Sequence, residues 1–128
     1  MTGPELALRR RILQAFAADG RAPRISDGPL LRGLAEQHVV VLGSSGEILM
    51  AHPFAGHRDG TRVEAGERTW WGNCAWDGLG IVAALGLGEA RVTSNGITIE
   101  ITEGEPAGEA LFHVSVPARQ WWADIEFT

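Results

Sequence analysis

A chain of 128 residues, 45% hydrophobic and 21% charged, has the size and composition of one compact domain, or of a small module packed on a slightly larger part. Its formal charge of −5, with no lysine among its basic residues, argues against broad recognition of a phosphate backbone, and its single cysteine rules out an internal disulfide or a zinc–thiolate cluster. Apolar runs such as Val39 to Leu42 and Ile81 to Leu85 fall far short of the roughly 18 to 20 residues of a membrane span, and no apolar signal segment follows the Arg-rich opening; the expectation is a cytoplasmic protein with a reduced thiol and no membrane partner.

From Pro4 to Ala18 the apolar residues Leu6, Leu8, Ile12, Leu13, Phe16 and Ala17 recur at spacings of three and four, which predicts a first helix with Arg9, Arg10 and Arg11 on its solvated side. Asp19-Gly20 ends it, and the segment from Arg21 to Pro29 reads as a turn-rich connection. Asp27 is placed to cap a second helix that turns Leu30, Leu31, Leu34 and Ala35 inward and stops near Gln37-His38. Val39 to Leu42, a polar turn at Gly43 to Gly46, and Glu47 to Ala51 predict a β-hairpin.

Helix, helix and hairpin in this order suggest an abbreviated winged-helix-like module over residues 1–54. A DNA-reading module of that kind needs basic residues on its recognition helix, and only Arg32 qualifies here. The module is therefore expected to pack against the rest of the chain, and no nucleic-acid partner is expected.

Ala51-His52-Pro53-Phe54 closes the hairpin, and Ala55 to Gly60 is too polar and glycine-rich to be regular. Thr61 to Ala65 and Arg68 to Trp71 alternate as strands around a Gly66-Glu67 turn. Gly72 lets the chain bend, and Asn73 reads as the N-cap of a helix that begins at Cys74 and runs to about Leu85. The remainder reads as β: Ala90 to Thr93, a Ser94-Asn95-Gly96 turn, Ile97 to Thr102, an acidic loop from Glu103 to Glu109, and Leu111 to Val116. Pro117 to Gln120 turns, Trp121 to Ile125 reads as a helical turn, and Glu126-Phe127-Thr128 as the opening of a strand.

The chemistry concentrates in Thr69 to Gly80, which holds the cysteine, three of the five tryptophans and a carboxylate three residues after the thiol. On a helix Cys74 and Asp77 share one face, with β carbons about 5 to 6 Å apart. A thiol at a helix N-terminus meets unpaired N–H groups that favour thiolate, whereas Asp77 opposes ionisation unless it takes the thiol's proton. The pair makes chemical sense as a proton-sharing couple, with Trp70, Trp71 and Trp76 as candidate walls of a pocket. A single cysteine also serves elsewhere as a small buried hydrophobe, and an aspartate in a first turn as a helix cap. A cysteine–histidine couple with His52, His57 or His113 is a further possibility, and no spacing selects among the three.

Taken together, Leu8 to Phe16, Leu34-Ala35-Glu36-Gln37-His38-Val39-Val40-Val41-Leu42, Met50-Ala51-His52-Pro53-Phe54, Trp70-Trp71-Gly72-Asn73-Cys74-Ala75-Trp76-Asp77, Phe112 to Pro117 and Trp121 to Ile125 resemble the alkylmercury lyase (organomercurial lyase) family over nearly the whole chain. The resemblance implies an α+β fold in which a winged-helix-like N-terminal module packs on a mixed or antiparallel β-sheet part, residues 55–128, that carries the Cys-x-x-Asp helix. It implies protonolysis of carbon–mercury bonds to hydrocarbon and Hg(II), with Cys74 as the mercury-binding thiolate and Asp77 as the proton shuttle. Trp70, Trp71, Trp76, His52 and Phe54 would form the substrate pocket. The partner is an organomercurial or Hg(II), with no organic cofactor and with external thiols as product acceptors.

Mercury is soft and prefers thiolate, and the departing carbanion-like carbon needs a positioned acid, so the implied roles agree with the residue types. One departure stands out. The family carries a second cysteine on a strand following the Trp-Trp-x-Asp-Ile segment, and these 128 residues stop at Glu126-Phe127-Thr128, before it. Two expectations follow: the catalytic part is C-terminally incomplete, or the chain is a thiol-based mercury binder or an inactive relative without turnover.

Overall fold

The structure, a computed structural model, describes residues 1–106. The elements expected at Leu111 to Val116, Pro117 to Gln120, Trp121 to Ile125 and Glu126 to Thr128, and the candidate His113, lie outside the described residues.

Helix α1 (Gly3–Asp19) begins with a reciprocal capping box: the Thr2 side chain accepts from the Glu5 N–H at 3.2 Å, and the Glu5 carboxylate accepts from the Thr2 N–H at 2.8 Å. Leu8, Ile12 and Phe16 form its buried stripe, as their spacing predicts. Gly20 closes it in the left-handed region at φ 68°, where a side chain would be strained. The orphaned carbonyl of Ala17 receives both the Trp70 indole N–H, at 2.9 Å, and the Arg68 guanidinium, at 2.7 Å. One unsatisfied helix end thereby ties α1 to a strand far along the chain. Helix α2 (Gly28–Glu36) is capped by the Asp27 carboxylate on the Leu30 N–H at 3.0 Å and buries Leu31 and Leu34.

A three-stranded antiparallel sheet follows, in the order β1 (Val41–Leu42), β2 (Ile48–Ala51) and β3 (Phe54–Ala55). The expected hairpin is β1–β2; the third strand is a correction to the loop expected from Ala55. Ala51 pairs with Phe54 and Met50 with Ala55, leaving His52 and a cis-linked Pro53 as the two residues at the tip. Phe54 and Ala55 are apolar and buried, which is why the chain continues as strand rather than turning to solvent. The Phe54 ring stacks on Phe16 of α1, centroids 5.4 Å apart.

The second sheet runs in the order β5 (Arg68–Gly72), β4 (Thr61–Ala65), β6 (Ala90–Ser94), β7 (Ile97–Thr102), β8 (Glu105–Pro106), with every pairing antiparallel. Two-residue turns join its hairpins: Asn95 and Gly96 at φ 51° and 77°, then Glu103 and Gly104 at φ 55° and 81°. Paired positive φ values match the twist of the flanking strands. The second turn accounts for β8, where the sequence suggested an acidic loop.

Helix α3 (Ala75–Leu85) crosses the inner face of this sheet and buries Ile81 and Val82 against Val63, Val92, Ile99 and Ile101. Fully burying a residue such as Ile81 contributes roughly 1.5–3 kcal/mol. The helix can lie close because it presents Gly78: a β carbon there would stand 2.7 Å from Thr61 Cγ2 and 2.8 Å from Val92 Cγ1. Gly78→Ala is therefore expected to destabilise the protein by about 1–3 kcal/mol through overpacking, read as a lower urea midpoint with an unchanged slope. The class is α+β, and one hydrophobic core runs from α1 and α2 through both sheets to α3.

Candidate active site around Cys74 and Asp77

β5 ends at Gly72 and α3 begins at Ala75, so Asn73 and Cys74 make the strand-to-helix corner. The cap is one residue later than the sequence suggested. Cys74, extended at φ −145° and ψ 175°, is itself the N-cap, Trp76 is the second helical residue and Asp77 the third. From the N-cap a side chain faces the free N–H groups of the second and third residues, the place where Ser, Thr, Asp or Asn ordinarily accepts a hydrogen bond. A neutral thiol accepts poorly; a thiolate accepts well.

Asp77 reaches back from the first turn. Its Oδ2 accepts from the Asn73 N–H at 3.3 Å, and its Oδ1 lies 3.1 Å from His52 Nδ1. The carboxyl group is buried, at 7% exposure, and each oxygen has a protein partner. It fits there because residue 72 is glycine: a β carbon on Gly72 would stand 2.9 Å from the Asp77 β carbon.

The half-buried thiol is pushed above the ordinary cysteine range, first by burial and also by the negative Asp77 carboxylate, while the backbone N–H groups of Asp77 and Trp76 pull the other way. Raising the pKa keeps Cys74 protonated at neutral pH, so its reaction with iodoacetamide should be slow there and accelerate with pH to a midpoint above that of a free thiol. Asp77→Asn removes the repelling charge and should move that midpoint downward; an unmoved midpoint would contradict the coupling.

The structure separates the residues expected to share a pocket. Trp70 is a core residue at 1% exposure, its indole N–H bound to Ala17 and its ring stacked under Arg68 at 4.7 Å. Phe54 is likewise interior, against Phe16. Trp70 and Gly72 point toward α3, so by strand alternation Trp71 faces the opposite side of the sheet, away from Asp77. Trp76, on the first turn of α3, is exposed beside the thiol. His52 is brought to the site directly and also borders a cleft of about 310 Å³ walled by Ile12, Leu13, Val39, Val40 and Ala51.

Of the other histidines, His57 accepts the Asp59 N–H of its own loop at 3.4 Å. Sequence spacing carries no sign of the His52–Asp77 contact, because the hairpin tip and the start of α3 meet only in the tertiary fold, where β3 lies against β5 and Pro53 against Gly80 of α3. Among the described residues no group of three or more His, Cys, Asp or Glu converges as a metal site, and no helix is long and apolar enough to cross a membrane.

The crystal structure of the mercury-bound form of MerB2 is similar in fold, with a TM-score of 0.64 at 20% sequence identity; the match covers 84% of this chain and 60% of that one, so the chain spans under two thirds of that protein's length. No curated protein matches the chain. The family model described as MerB, alkylmercury lyase, matches residues 54–128, more than half of the sequence and the whole stretch from Phe54 through the Cys74–Asp77 corner. On that match the chain belongs to the alkylmercury lyase family.

Proposed function

We propose that this chain cleaves carbon–mercury bonds by protonolysis, with Cys74 as the mercury-binding thiolate and Asp77 as the proton carrier. The supporting observation is the corner itself: a thiol at the N-cap of α3 and, three residues on, a buried carboxyl group held at both oxygens.

The Cys74 thiol transfers its proton to the Asp77 carboxylate as the Sγ–mercury bond forms and the mercurial's original ligand departs. The proton then passes from Asp77 to the carbon on mercury. The carbon–mercury bond breaks with its electron pair going to the new carbon–hydrogen bond, the hydrocarbon leaves, and Hg(II) stays on Cys74. Small external thiols then exchange for Cys74 on mercury and return a proton to its sulfur. Partial burial lowers the local dielectric, which keeps proton transfer between Cys74 and Asp77 rather than to water. Trp76, exposed on the first turn of α3, flanks the approach of the organic group.

The test is benzene release from phenylmercury, or methane release from methylmercury, in excess thiol. Release by the untreated protein that disappears after Cys74 is blocked with iodoacetamide is the expected result; equal release before and after blocking would overturn the proposal. A second reading, thiol-dependent mercury binding without turnover, draws on the single cysteine of these 128 residues. It calls for tight Hg(II) binding with no hydrocarbon release, indifferent to Asp77→Asn.

A further inference from the structure

We propose that His52 is a positioning residue for the reaction: its Nδ1–H holds Oδ1 of Asp77 and aims the carboxyl group at the substrate carbon bound beside Cys74. The proposal rests on the protonolysis reading above.

A carboxylate oxygen accepts, and the imidazole Nδ1 3.1 Å from Oδ1 is placed to donate its hydrogen there. The Asn73 N–H takes the other oxygen. Two donors on two different oxygens, one from the corner of α3 and one from the β2–β3 tip, fix the plane of the carboxyl group as well as its place. With Asn73 alone, the group keeps one tether and can rotate about it.

His52 is poorly suited to any packing role. Its side chain is 74% exposed, so removing the ring leaves no interior void. Its anchors are interior instead: Ala51 and Phe54 on either side of the tip are buried at 2% and 4% exposure and pair with each other across the hairpin. A rigid tip thus carries a solvent-facing ring whose directional contact is to the one buried carboxyl group beside the thiol. Proton transfer is steeply sensitive to such placement, since a displacement of about 1 Å can cost up to about 10²-fold in rate.

The experiment compares the full chain with His52→Ala and His52→Asn. Benzene release from phenylmercury in excess thiol should fall about 10- to 100-fold in kcat for His52→Ala, with KM and the capture of phenylmercury by Cys74 unchanged. His52→Asn, whose side-chain N–H can reach the same oxygen, should recover most of the loss. Wild-type kcat in His52→Ala, or no recovery in His52→Asn, would overturn the assignment. A second readout does not depend on turnover. Nitrogen-15 correlation spectra of the histidine ring should show hydrogen on His52 Nδ1 in the wild-type protein and its loss to the Nε2 tautomer in Asp77→Ala. A bare Nδ1 in the wild type would overturn the positioning role, whereas absent benzene release with Nδ1 protonated would refute the lyase reading and leave the His52–Asp77 contact standing.

Discussion

Cys74→Ala should reduce hydrocarbon release to the rate seen without protein, and excess thiol in solution should not restore it. A held thiolate beside its proton carrier has an effective concentration that for well-oriented pairs is on the order of 10⁵ M or more, far beyond any millimolar free thiol. The variant should also fail to retain phenylmercury through gel filtration. The fold should persist, because Cys74 is only half-buried and caps α3 without a side-chain hydrogen bond. Circular dichroism with an unshifted melting temperature separates this loss from unfolding. Retained activity in Cys74→Ala would remove the thiol from the mechanism.

Asp77→Asn should separate binding from cleavage. The amide fills the same space against Gly72 and can still accept the Asn73 N–H, but it carries no transferable proton. Loss of general-acid chemistry typically costs about 10²–10⁴-fold, so kcat for benzene release should fall within that range while phenylmercury still binds. Capture by Cys74 should persist, because removing the carboxylate takes away a proton acceptor but also lowers the thiol's pKa. Retained capture with slower cleavage is a combination that neither misfolding nor simple loss of affinity produces.

Much of the scaffold is legible in the sequence because its signals are local. The three- and four-residue spacing of Leu8, Ile12 and Phe16, the Asp27 cap and the Asn95-Gly96 turn each specify their element without help from distant residues. The Cys74–Asp77 pair is legible for the same reason: both lie in one turn. What stays hidden depends on sheet register and on contacts between elements. Trp70 and Trp71 stand side by side in sequence near the thiol, yet a strand sends them to opposite faces, and only the pairing of Val63 with Trp70 and Thr61 with Gly72 shows which face meets α3. The buried destination of Trp70 follows from the free carbonyl of Ala17, a group no pattern in β5 announces.

His52 is the converse case. The sequence offers it within the His-Pro-Phe segment and as one of three possible partners for the thiol, and its place beside Asp77 needs β3, the short strand that the glycine-rich sequence after Phe54 conceals. Gly72 and Gly78 are likewise explained only by what approaches them, the Asp77 β carbon in one case and the Thr61 and Val92 side chains in the other. Around the thiol, then, the sequence supplies the pair proposed to react, and tertiary packing supplies the groups that hold it.

Delivery by Asp77 of the proton that cleaves a mercurial already held by Cys74 can be followed in a single turnover. Wild-type protein and Asp77→Asn are each loaded with one equivalent of phenylmercury, freed of excess, and followed by intact-protein mass spectrometry together with headspace benzene. The wild-type adduct should lose its phenyl group, leaving Hg(II) on the protein with one benzene released per chain, while the Asp77→Asn adduct keeps the phenyl group at least about 10²-fold longer. A wild-type adduct that keeps its phenyl group, or loses it no faster than Asp77→Asn, would show that Asp77 is not the proton donor.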